Sequence, residues 1–358
     1  MKVACLDMQD FMVFEKMTLD FSPNINVISG ENSTGKTAIM KVLYSTLKMI
    51  EDYNNEKKEA APLKPEQILE KKLVNVFLCD EKNVGRLVRR KHGNKNAVIS
   101  IKLKTESGES PISFDFSRFK NPGIRLQYNT EKINTDIIPV FIPPKEIISA
   151  CESFGILYRK GQIKFEDPYY DLAELLEIPL STGKNTDEQN IILKNFKKIL
   201  DGDITRSKDR KFYLKSKGLG EIEMGLLSEG HKKIATLMHL ILTESLGKNS
   251  VLFWDEPEAN MNPKMISHIC QALVELSKIG VQIFVTTHSY FVQQEISLYS
   301  EYKASKEHIN VKFISLYKDE NGIITQENGS DLASLDNNSV MNEFTNLYNK
   351  EQEMFYAD

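Results

Sequence analysis

Apolar positions in the first fifty residues change from strand-like to helix-like spacing around a short glycine-containing loop. Compact apolar runs at 1–8, 17–21 and 26–29 predict strands, and the third run leads directly into the loop. Residues 38–50 then place apolar side chains at helical spacing with few charges between them. A helix this apolar is expected to pack against a sheet, so the region predicts a strand–loop–helix unit.

The last third of the chain also alternates between apolar strands and a helix. Residues 251–254 and 281–286 are apolar runs, and residues 263–279 between them carry apolar side chains at helical spacing. The order strand, helix, strand is typical of a parallel sheet. The fold class expected from this pattern is therefore α/β.

The middle of the chain starts with a polar, proline-punctuated segment at 51–66 that predicts a surface linker. Residues 86–91 and 97–104 flank a turn-like sequence and predict a hairpin within a β-rich stretch. Residues 138–144 form an apolar run that ends in two prolines and predict a buried strand. Helices are predicted at 145–155, 169–176, 187–200 and 229–246, with a second hairpin at 205–223.

The last forty residues are acidic and contain an amphipathic helical pattern. They hold nine acidic residues and a single lysine. The apolar side chains on one helical face are Val340, Phe344, Leu347, Tyr348 and Phe355. Two interpretations are open for this face: it docks on the core, or it binds a partner.

These segments predict four regions along the chain. They are a core lobe (1–50 and 247–318), an antiparallel β subdomain with a basic hairpin (67–144), a helical lobe (145–246) and an acidic C-terminal helix (319–358).

Composition adds limits on the class of protein. With 41% hydrophobic and 27% charged residues the chain is of ordinary globular type, and 358 residues predict two structural units or one large domain with an insertion. A net charge of −4 excludes a generally cationic nucleic-acid coat protein but allows local basic patches. The four cysteines form no CxxC pair, no apolar run reaches the roughly 18–20 residues that span a bilayer, and the first residues lack a signal-peptide core. The expectation is a cytoplasmic protein with reduced thiols and no membrane contact.

The strongest chemical signal is the sequence Gly-Glu-Asn-Ser-Thr-Gly-Lys-Thr between the strand at 26–29 and the helix at 38–50. It fits G-x-x-x-x-G-K-[ST], a phosphate-binding loop, in the strand–loop–helix context that this motif requires. Backbone N–H groups of such a loop, with the positive end of the following helix, hold phosphates. Lys36 is expected to reach the β- and γ-phosphates of ATP, and the Thr37 hydroxyl to ligate Mg²⁺. The residues predicted to bind ATP here are Gly30, Glu31, Asn32, Ser33, Thr34, Gly35, Lys36 and Thr37.

A second signal is the apolar run 251–254 followed at once by Asp255 and Glu256. Two carboxylates at the end of a buried strand are costly unless a cation or a donor is near, which favours a functional role. Asp255 is expected to hold Mg²⁺. Glu256 is then placed to polarise the attacking water as general base.

Two further motifs lie near predicted element ends. Ser228 and Gly230 open the helix at 229–246, and Ser228 stands 27 residues before Asp255. An ordinary helix cap is the alternative interpretation of Ser228. His288 follows the strand at 281–286, where neighbouring strand ends hold the phosphates, and it is predicted to contact the γ-phosphate as a catalytic residue beside Glu256 and Lys36. A structural histidine is the alternative there.

The four motifs in this order resemble those of the ABC-type ATPases, and within them the SMC/RecF/OLD-like branch. The interval of 192 residues between Lys36 and Ser228 is longer than we expect in a transporter nucleotide-binding domain. The opening, with Phe11, Phe14 and Phe21, looks like that of SMC-type heads.

The resemblance covers 1–50 and 220–300 well and the middle of the chain only in outline. The stretch 255–263, together with His288, is similar to compact ATPases of bacterial anti-phage systems, of OLD or Septu type. The resemblance implies a P-loop NTPase fold of ABC type. It has a mixed or parallel core sheet, an antiparallel β subdomain and a helical insertion.

The chain also departs from the families it resembles. Sustained heptads are missing, so no long coiled-coil arm is expected, and nothing after residue 300 resembles a Toprim nuclease. Glu229 and His231 stand where the family often has glycine and glutamine, and Asn262 where an aspartate is frequent. The glutamine that usually ligates Mg²⁺ is not clearly placed; the segment 142–146 lies where we look for it, which leaves a different ligand open.

The resemblance implies a homodimer in which Ser228 and Gly230 of one chain cover the ATP bound to the other chain. The expected function is an ATP-hydrolysing clamp or sensor. It is expected to associate with DNA and to act in bacterial anti-phage defence with a separate effector protein. The alternatives are the ATP-binding subunit of a transporter and a self-sufficient ATP-dependent nuclease.

Two basic clusters are candidates for the DNA contact. Residues 82–104 hold eight lysines or arginines and no acid, and residues 193–217 hold nine with three acids. On hairpins such side chains can follow a phosphate backbone. A solvated strand face, or a contact with ATP itself, is the alternative. The predicted DNA-contacting residues are Arg86, Arg89, Arg90, Lys91 and Lys95.

Overall fold

A computed structural model describes residues 1–56, 62–91, 93, 96–106, 108–119, 123–129, 137–180, 185–302 and 308–357. The strands are β1 (Lys2–Phe11), β2 (Phe14–Asp20), β3 (Ile25–Gly30), β4 (Asn96–Thr105), β5 (Gly108–Ser117), β6 (Ile124–Tyr128), β7 (Ile138–Ile142), β8 (Gly202–Arg206), β9 (Phe212–Ser216), β10 (Gly220–Glu223), β11 (Ser250–Asp255), β12 (Gln282–Thr286), β13 (Val311–Lys318) and β14 (Ile324–Gly329). The helices are α1 (Lys36–Glu56), α2 (Pro65–Val76), α3 (Cys151–Arg159), α4 (Asp167–Glu177), α5 (Asp187–Leu200), α6 (Glu229–Leu242), α7 (Pro263–Lys278), α8 (Tyr290–Glu301) and α9 (Ser339–Ala357).

The core sheet has the strand order β14-β13-β3-β12-β11-β7. Its strands from β13 to β7 pair in parallel, and β14 adds an antiparallel edge. Every residue of β3, β11 and β12 is buried, as expected for parallel strands that are covered on both faces. The carboxyl ends of these three strands therefore meet at one edge of the sheet, which confirms the predicted α/β fold and positions the site.

Helix α1 is apolar on most sides because it is enclosed between two sheets. The second sheet has the order β2-β1-β4-β5-β6 and is antiparallel throughout. One hydrophobic cluster joins its inner face to α1, α2 and one face of the core sheet. The ring of Tyr44 in α1 meets the rings of Phe141 and Phe253 edge-on. Burial on both sides thus explains the scarcity of charges in this helix.

Helices α3 to α8 cover the opposite face of the core sheet in a second hydrophobic cluster. The small antiparallel sheet β10-β9-β8 packs beside α5 and α6. Among the described helices, none is long and apolar enough to cross a bilayer. The predicted helix at 187–200 coincides with α5, and those at 229–246 and 263–279 match α6 and α7 within a few residues.

The predicted hairpin between 86–91 and 97–104 is wrong. Strand β4 pairs with β1 and β5, and residues 84–87 form a 3₁₀ turn after which Val88 bridges Phe11. The strict inside–outside alternation of β4 matches that of β5, and such alternation sets the pairing register. Most of the turn-like sequence at 92–96, including the proposed contact Lys95, lies outside the described residues.

Two segments lie in sheets other than the predicted ones. Strand β7, assigned by sequence to the antiparallel subdomain, pairs in parallel with β11 because its continuous apolar run suits burial on both faces. Strands β1 and β2, assigned to the core lobe, belong to the antiparallel sheet. The division of the chain into four regions otherwise stays a prediction.

The C-terminal region is a strand followed by a helix, not one helix from residue 319. Docking of the predicted apolar face on the core is also wrong for most of that face. Val340 is half-buried, but Leu347 is 63% exposed and Phe355 73% exposed. The loop before α9 fills the core instead, through the buried side chains of Leu332 and Leu335.

Candidate functional site

The loop between β3 and α1 requires glycine at two positions. Gly30 has φ 145° and passes so close to β13 that an added Cβ would lie 2.3 Å from the carbonyl oxygen of Leu316. Gly35 has φ 94°, and a Cβ there would lie 2.4 Å from the ring of Phe14. Any other residue at these positions would be strained and would clash. Residues of the tight loop and the first residues of α1 line a cavity.

Lys36 folds back over this loop. Its Nζ donates hydrogen bonds to the carbonyl oxygens of Gly30 at 2.9 Å and Glu31 at 2.8 Å. Burial lowers the pKa of Lys36, and the nearby carboxylates of Glu256 and Asp255 act in the opposite direction. The ammonium group of Lys36 is thus placed to contact an anion bound to the loop.

Asp255 ends β11 beside two threonine hydroxyls. Thr37 Oγ1 donates to its carboxylate at 3.1 Å, and Thr286 Oγ1, at the end of β12, donates to Oδ1. Burial raises the pKa of Asp255, and the two hydroxyl donors offset part of that shift. A carboxylate this buried carries a desolvation cost that a bound cation would remove.

Glu256 follows with a left-handed backbone, φ 48°, which is uncommon for a residue with a side chain. This turn directs its carboxylate towards the cavity, where Oε1 lies 3.8 Å from Nε2 of His288. Burial, and next the charge of Lys36, lower the pKa of His288. The strained turn at the end of a buried strand is the kind of feature that accompanies a functional site.

The sequence reasoning missed a positioning role for Glu258. Its Oε1 accepts hydrogen bonds from Thr287 Oγ1 at 2.7 Å and from the His288 N–H at 2.9 Å. Glu258 therefore fixes the turn that carries His288 to the loop that carries Glu256. The apolar run and two carboxylates drew attention to residues 251–256, but only the fold brings residue 258 against residues 287 and 288.

A cavity of about 330 Å³ joins these groups. Its lining residues include the predicted Lys36, Thr37, Glu256 and His288. They also include Met12, Val13, Lys41 and Phe77, which were not predicted. Asp255 is not among the lining residues but accepts a hydrogen bond from Thr37 at 3.1 Å. No sequence pattern pointed to the second group, because the turn after β1 and the end of α2 reach the loop only through packing.

The donor set fits a nucleotide with Mg²⁺. Mg²⁺ binds through one or two protein oxygens together with substrate phosphates, and Thr37 and Asp255 offer such oxygens side by side. In the part of the chain that the structure describes, no group of three or more His, Cys, Asp or Glu side chains is placed to hold a metal ion. Phosphates therefore suit the remaining ligand positions of a cation at this site.

Ser228 and Gly230 do not meet the loop within one chain. They line a different cavity of about 530 Å³, which shares none of its described lining residues with the first. Ser228 is exposed at the start of α6, and its Oγ lies 2.6 Å from Nδ1 of His231. At Gly230 an added Cβ would lie 2.6 Å from the side chain of Met265, so close packing requires this glycine.

The segment 142–146 does not supply an obvious magnesium ligand. Ile142 ends β7 beside Trp254 in β11. Glu146 Oε1 instead lies 3.2 Å from Nζ of Lys232 in α6. The carboxylate of this segment is thus paired within the helical part of the fold.

The basic residues proposed for DNA contact are partly neutralised by acids. Arg89 and Lys91 share the carboxylate of Glu15, at 2.5 and 3.1 Å. Arg86 lies 3.1 Å from Glu81. An open cavity of about 570 Å³ is lined by the basic side chains Arg86, Arg90, Lys91 and Arg118 and by the acidic Glu81. Arg118 was not predicted, because β5 brings it to this surface from another part of the sequence.

Comparison with known proteins shows the family to which the chain belongs. The family model described as "AAA domain, putative AbiEii toxin, Type IV TA system" matches residues 25–292, which include the loop, Asp255 and His288. The DNA replication and repair protein RecF of Lactococcus lactis subsp. lactis (strain IL1403) is 36% identical over 44 residues, 12% of each chain. The Old nuclease of Escherichia phage P2 is 40% identical over 47 residues, 13% of this chain and 8% of that protein. The matched stretches thus cover only about a tenth of the length of each of these relatives.

Solved structures extend the fold comparison to nearly the whole chain. An SMC head bound to the C-winged helix domain of ScpA has a TM-score of 0.58 at 14% identity and covers 92% of this chain and 98% of that one. An SMC head with an extended coiled coil, bound to the C-terminal domain of ScpA derived from Pyrococcus furiosus, has a TM-score of 0.52 at 12% identity. The alignment covers 98% of this chain and 99% of that one. At such identities the likeness shows the fold, and it confirms the predicted P-loop fold of ABC type. The chain belongs to the AbiEii-type AAA-domain family, and it is similar to the SMC/RecF/OLD-like ABC-type ATPases in fold and in short stretches of sequence.

Proposed function

We propose that this protein binds ATP with Mg²⁺ in the cavity beside the loop and hydrolyses it. The observation that carries the proposal is the convergence of side chains from three separate segments on one cavity. Lys36, Thr37, Glu256 and His288 line the cavity, and Asp255 accepts a hydrogen bond from Thr37.

Each of these residues has a role that follows from its position. The loop N–H groups and Lys36 bind the phosphates, with Lys36 exchanging the carbonyl oxygens of Gly30 and Glu31 for phosphate oxygens. Thr37 and Asp255 hold Mg²⁺, which when bound offsets charge on the phosphate oxygens. Glu256 accepts the proton of the attacking water. Burial lowers the pKa of His288, and its imidazole donates a hydrogen bond towards the γ-phosphate.

A second copy of the chain completes the site in this proposal. Ser228 is exposed and lies in a cavity separate from the loop, so it is available to the nucleotide of another molecule. Two chains paired head to tail would each cover the ATP of the other. Contacts that the γ-phosphate makes only in the paired state would favour pairing, and hydrolysis would reverse it.

The biological setting is also a proposal. The relatives RecF and Old nuclease are named for DNA replication and repair and for nuclease activity, and the cavity around Arg86 and Arg90 presents positive charge. These observations support a DNA-associated role. The resemblance of residues 255–263 to compact anti-phage ATPases leads us to propose that this role is in bacterial anti-phage defence, as a clamp or sensor for a separate effector protein.

The direct test of ATP hydrolysis compares three proteins by phosphate release in MgATP. Wild type should turn over ATP, and Lys36→Ala should lose about 100-fold or more, because it removes a cation that stabilises the transferred phosphoryl group. Lys48→Met is the matched control, since Lys48 lies on the same helix but pairs with Glu51. Equal activity of Lys36→Ala and wild type would refute the proposed site.

A further inference from the structure

Lys41 lies on α1, four residues after Thr37. It contacts both the nucleotide cavity and the start of a neighbouring helix. Its side chain lines the cavity together with Lys36 and Phe77, and its Nζ is 5.5 Å from the centre of the Phe77 ring. The same Nζ lies 2.6 Å from Oε1 of Glu166. Glu166 is the residue that immediately precedes α4. One ammonium group therefore connects the cavity to the start of α4.

Helix α4 is joined to α1 and α2 by a polar interface. Asp171 accepts a hydrogen bond from Tyr44 Oη at 2.5 Å, and it lies 3.1 Å from Nζ of Lys72. Lys72 also lies 3.1 Å from Asp167. The described ion pairs that connect α4 and Glu166 to α1 and α2 use two lysines, Lys41 and Lys72. Of these two, Lys41 lines the cavity.

A bound triphosphate would compete with Glu166 for Lys41. The phosphates of ATP carry several negative charges, whereas Glu166 carries one, and charge-assisted bonds to lysine strengthen with the acceptor's charge. The lysine stem has four rotatable carbons, so its ammonium group can turn between two acceptors without movement of the backbone. The glutamate side chain is one-third exposed, so water can solvate its carboxylate once the lysine leaves.

We infer that Lys41 is a nucleotide-sensing residue that exchanges Glu166 for a phosphate oxygen when a nucleoside triphosphate enters the cavity. The exchange removes the ion pair between α1 and the residue that precedes α4, whereas the contacts of Asp167 and Asp171 remain, so ligand binding loosens the start of α4. The inference rests on the proposed binding of ATP in this cavity. It adds a positioning role for Glu166 and a binding role for Lys41.

Thermodynamic linkage gives the two residues opposite effects on affinity. If Glu166 competes with the nucleotide, its removal must tighten nucleotide binding by the same factor by which the nucleotide weakens the pair. Removal of Lys41 must weaken binding, because a phosphate contact is lost. A purely structural pair would behave differently, since breaking it from either side would disturb the site in the same direction.

The test measures the dissociation constant of MgATP by calorimetry, with Glu256→Gln present in every protein to stop turnover. Adding Glu166→Gln should lower the dissociation constant several-fold, and adding Lys41→Met should raise it about tenfold. Adding Lys48→Met is the matched control and should leave it unchanged, because Lys48 pairs with Glu51 and Asp52 and does not line the cavity among the described residues.

Hydrogen exchange supplies the second readout. In the Glu256→Gln protein, MgATP should increase amide exchange at the start of α4, and the increase should be absent when Lys41→Met is added. Weaker binding in both variants, or no change in either, would overturn the exchange of partners while leaving ATP binding intact. A parent protein that binds no MgATP would refute the proposed function, and the exchange of partners with it.

Discussion

At the scale of single residues, the sequence locates the chemical groups, and the fold supplies the groups that position them. Lys36, Thr37 and Asp255 could be singled out because phosphate-binding and metal-binding chemistry restricts which residues stand at a loop or strand end. Glu258 and Lys41 could not, because each acts on a residue far away in the sequence. Their partners, His288 and Glu166, become neighbours only when the strands and helices pack.

The role of Glu258 leads to a prediction for Glu258→Ala. The change leaves the Thr287 hydroxyl and the His288 N–H without their acceptor, so the turn that carries His288 loses its fixed position. We expect kcat for ATP hydrolysis to fall at least tenfold, since small displacements of catalytic groups are costly, while the affinity for MgATP changes little. Steady-state kinetics with a separate binding measurement checks this. A parallel loss of affinity and kcat would show that Glu258 supports the whole cavity.

At the scale of secondary-structure elements, long segments with a periodic apolar pattern were predictable, but the pairing of strands was not. Helices α5 and α7 carry a regular apolar face, and both were placed within a residue or two. The partner of β4 was misassigned, since a strand's apolar alternation does not state which other strand it will pair with. Docking of α9 on the core was one of two open interpretations, and it is wrong for most of the helix, whose apolar face is exposed while the preceding loop buries Leu332 and Leu335.

Helix α6 gives a pH-dependent prediction through its buried His239. Burial lowers the pKa of His239 to about 4, and the neighbouring charge of Arg206 acts in the same direction. Below the ordinary value near 6.5, His239 is protonated in the unfolded chain but stays neutral in the folded chain. The free energy of unfolding therefore decreases as pH falls from 6.5 towards 4. Between pH 7 and pH 5 this residue should reduce the free energy of unfolding by about 2 kcal/mol.

Urea unfolding of wild type and His239→Gln at the two pH values isolates that contribution. The variant should lose about 2 kcal/mol less than wild type between pH 7 and pH 5, whatever its stability at pH 7. Identical pH dependence in both proteins would mean that His239 titrates alike in the folded and unfolded states.

At the scale of the whole molecule, the core sheet gathers the loop, Asp255 and His288 at one edge, and the antiparallel sheet carries a basic cavity. The α/β class and the parallel sheet were predictable because continuous apolar runs mark strands covered on both faces. The allocation of β1, β2 and β7 to sheets was not, since it depends on how the middle of the chain returns to the core. The arrangement leaves Ser228 and the loop in separate cavities of one chain.

The basic cavity predicts DNA binding that weakens as salt is raised. Arg86→Gln with Arg90→Gln removes two of its positive charges and should reduce the slope of log affinity against log salt by about two units. Lys160→Gln with Lys164→Gln is the control of equal charge on another surface and should leave the slope near that of wild type. Fluorescence anisotropy with duplex DNA checks this. Salt-independent or absent binding in wild type would remove the DNA proposal.

Sedimentation velocity of the Glu256→Gln protein, with and without MgATP, tests most directly whether two chains trap the nucleotide between them. Without its general base the protein should retain ATP and accumulate as a dimer, and removal of MgATP should return it to the monomer. Adding Ser228→Arg, which places a bulky side chain where the second nucleotide is proposed to lie, should keep it monomeric with MgATP bound. A Glu256→Gln protein that binds MgATP and stays monomeric would contradict the account.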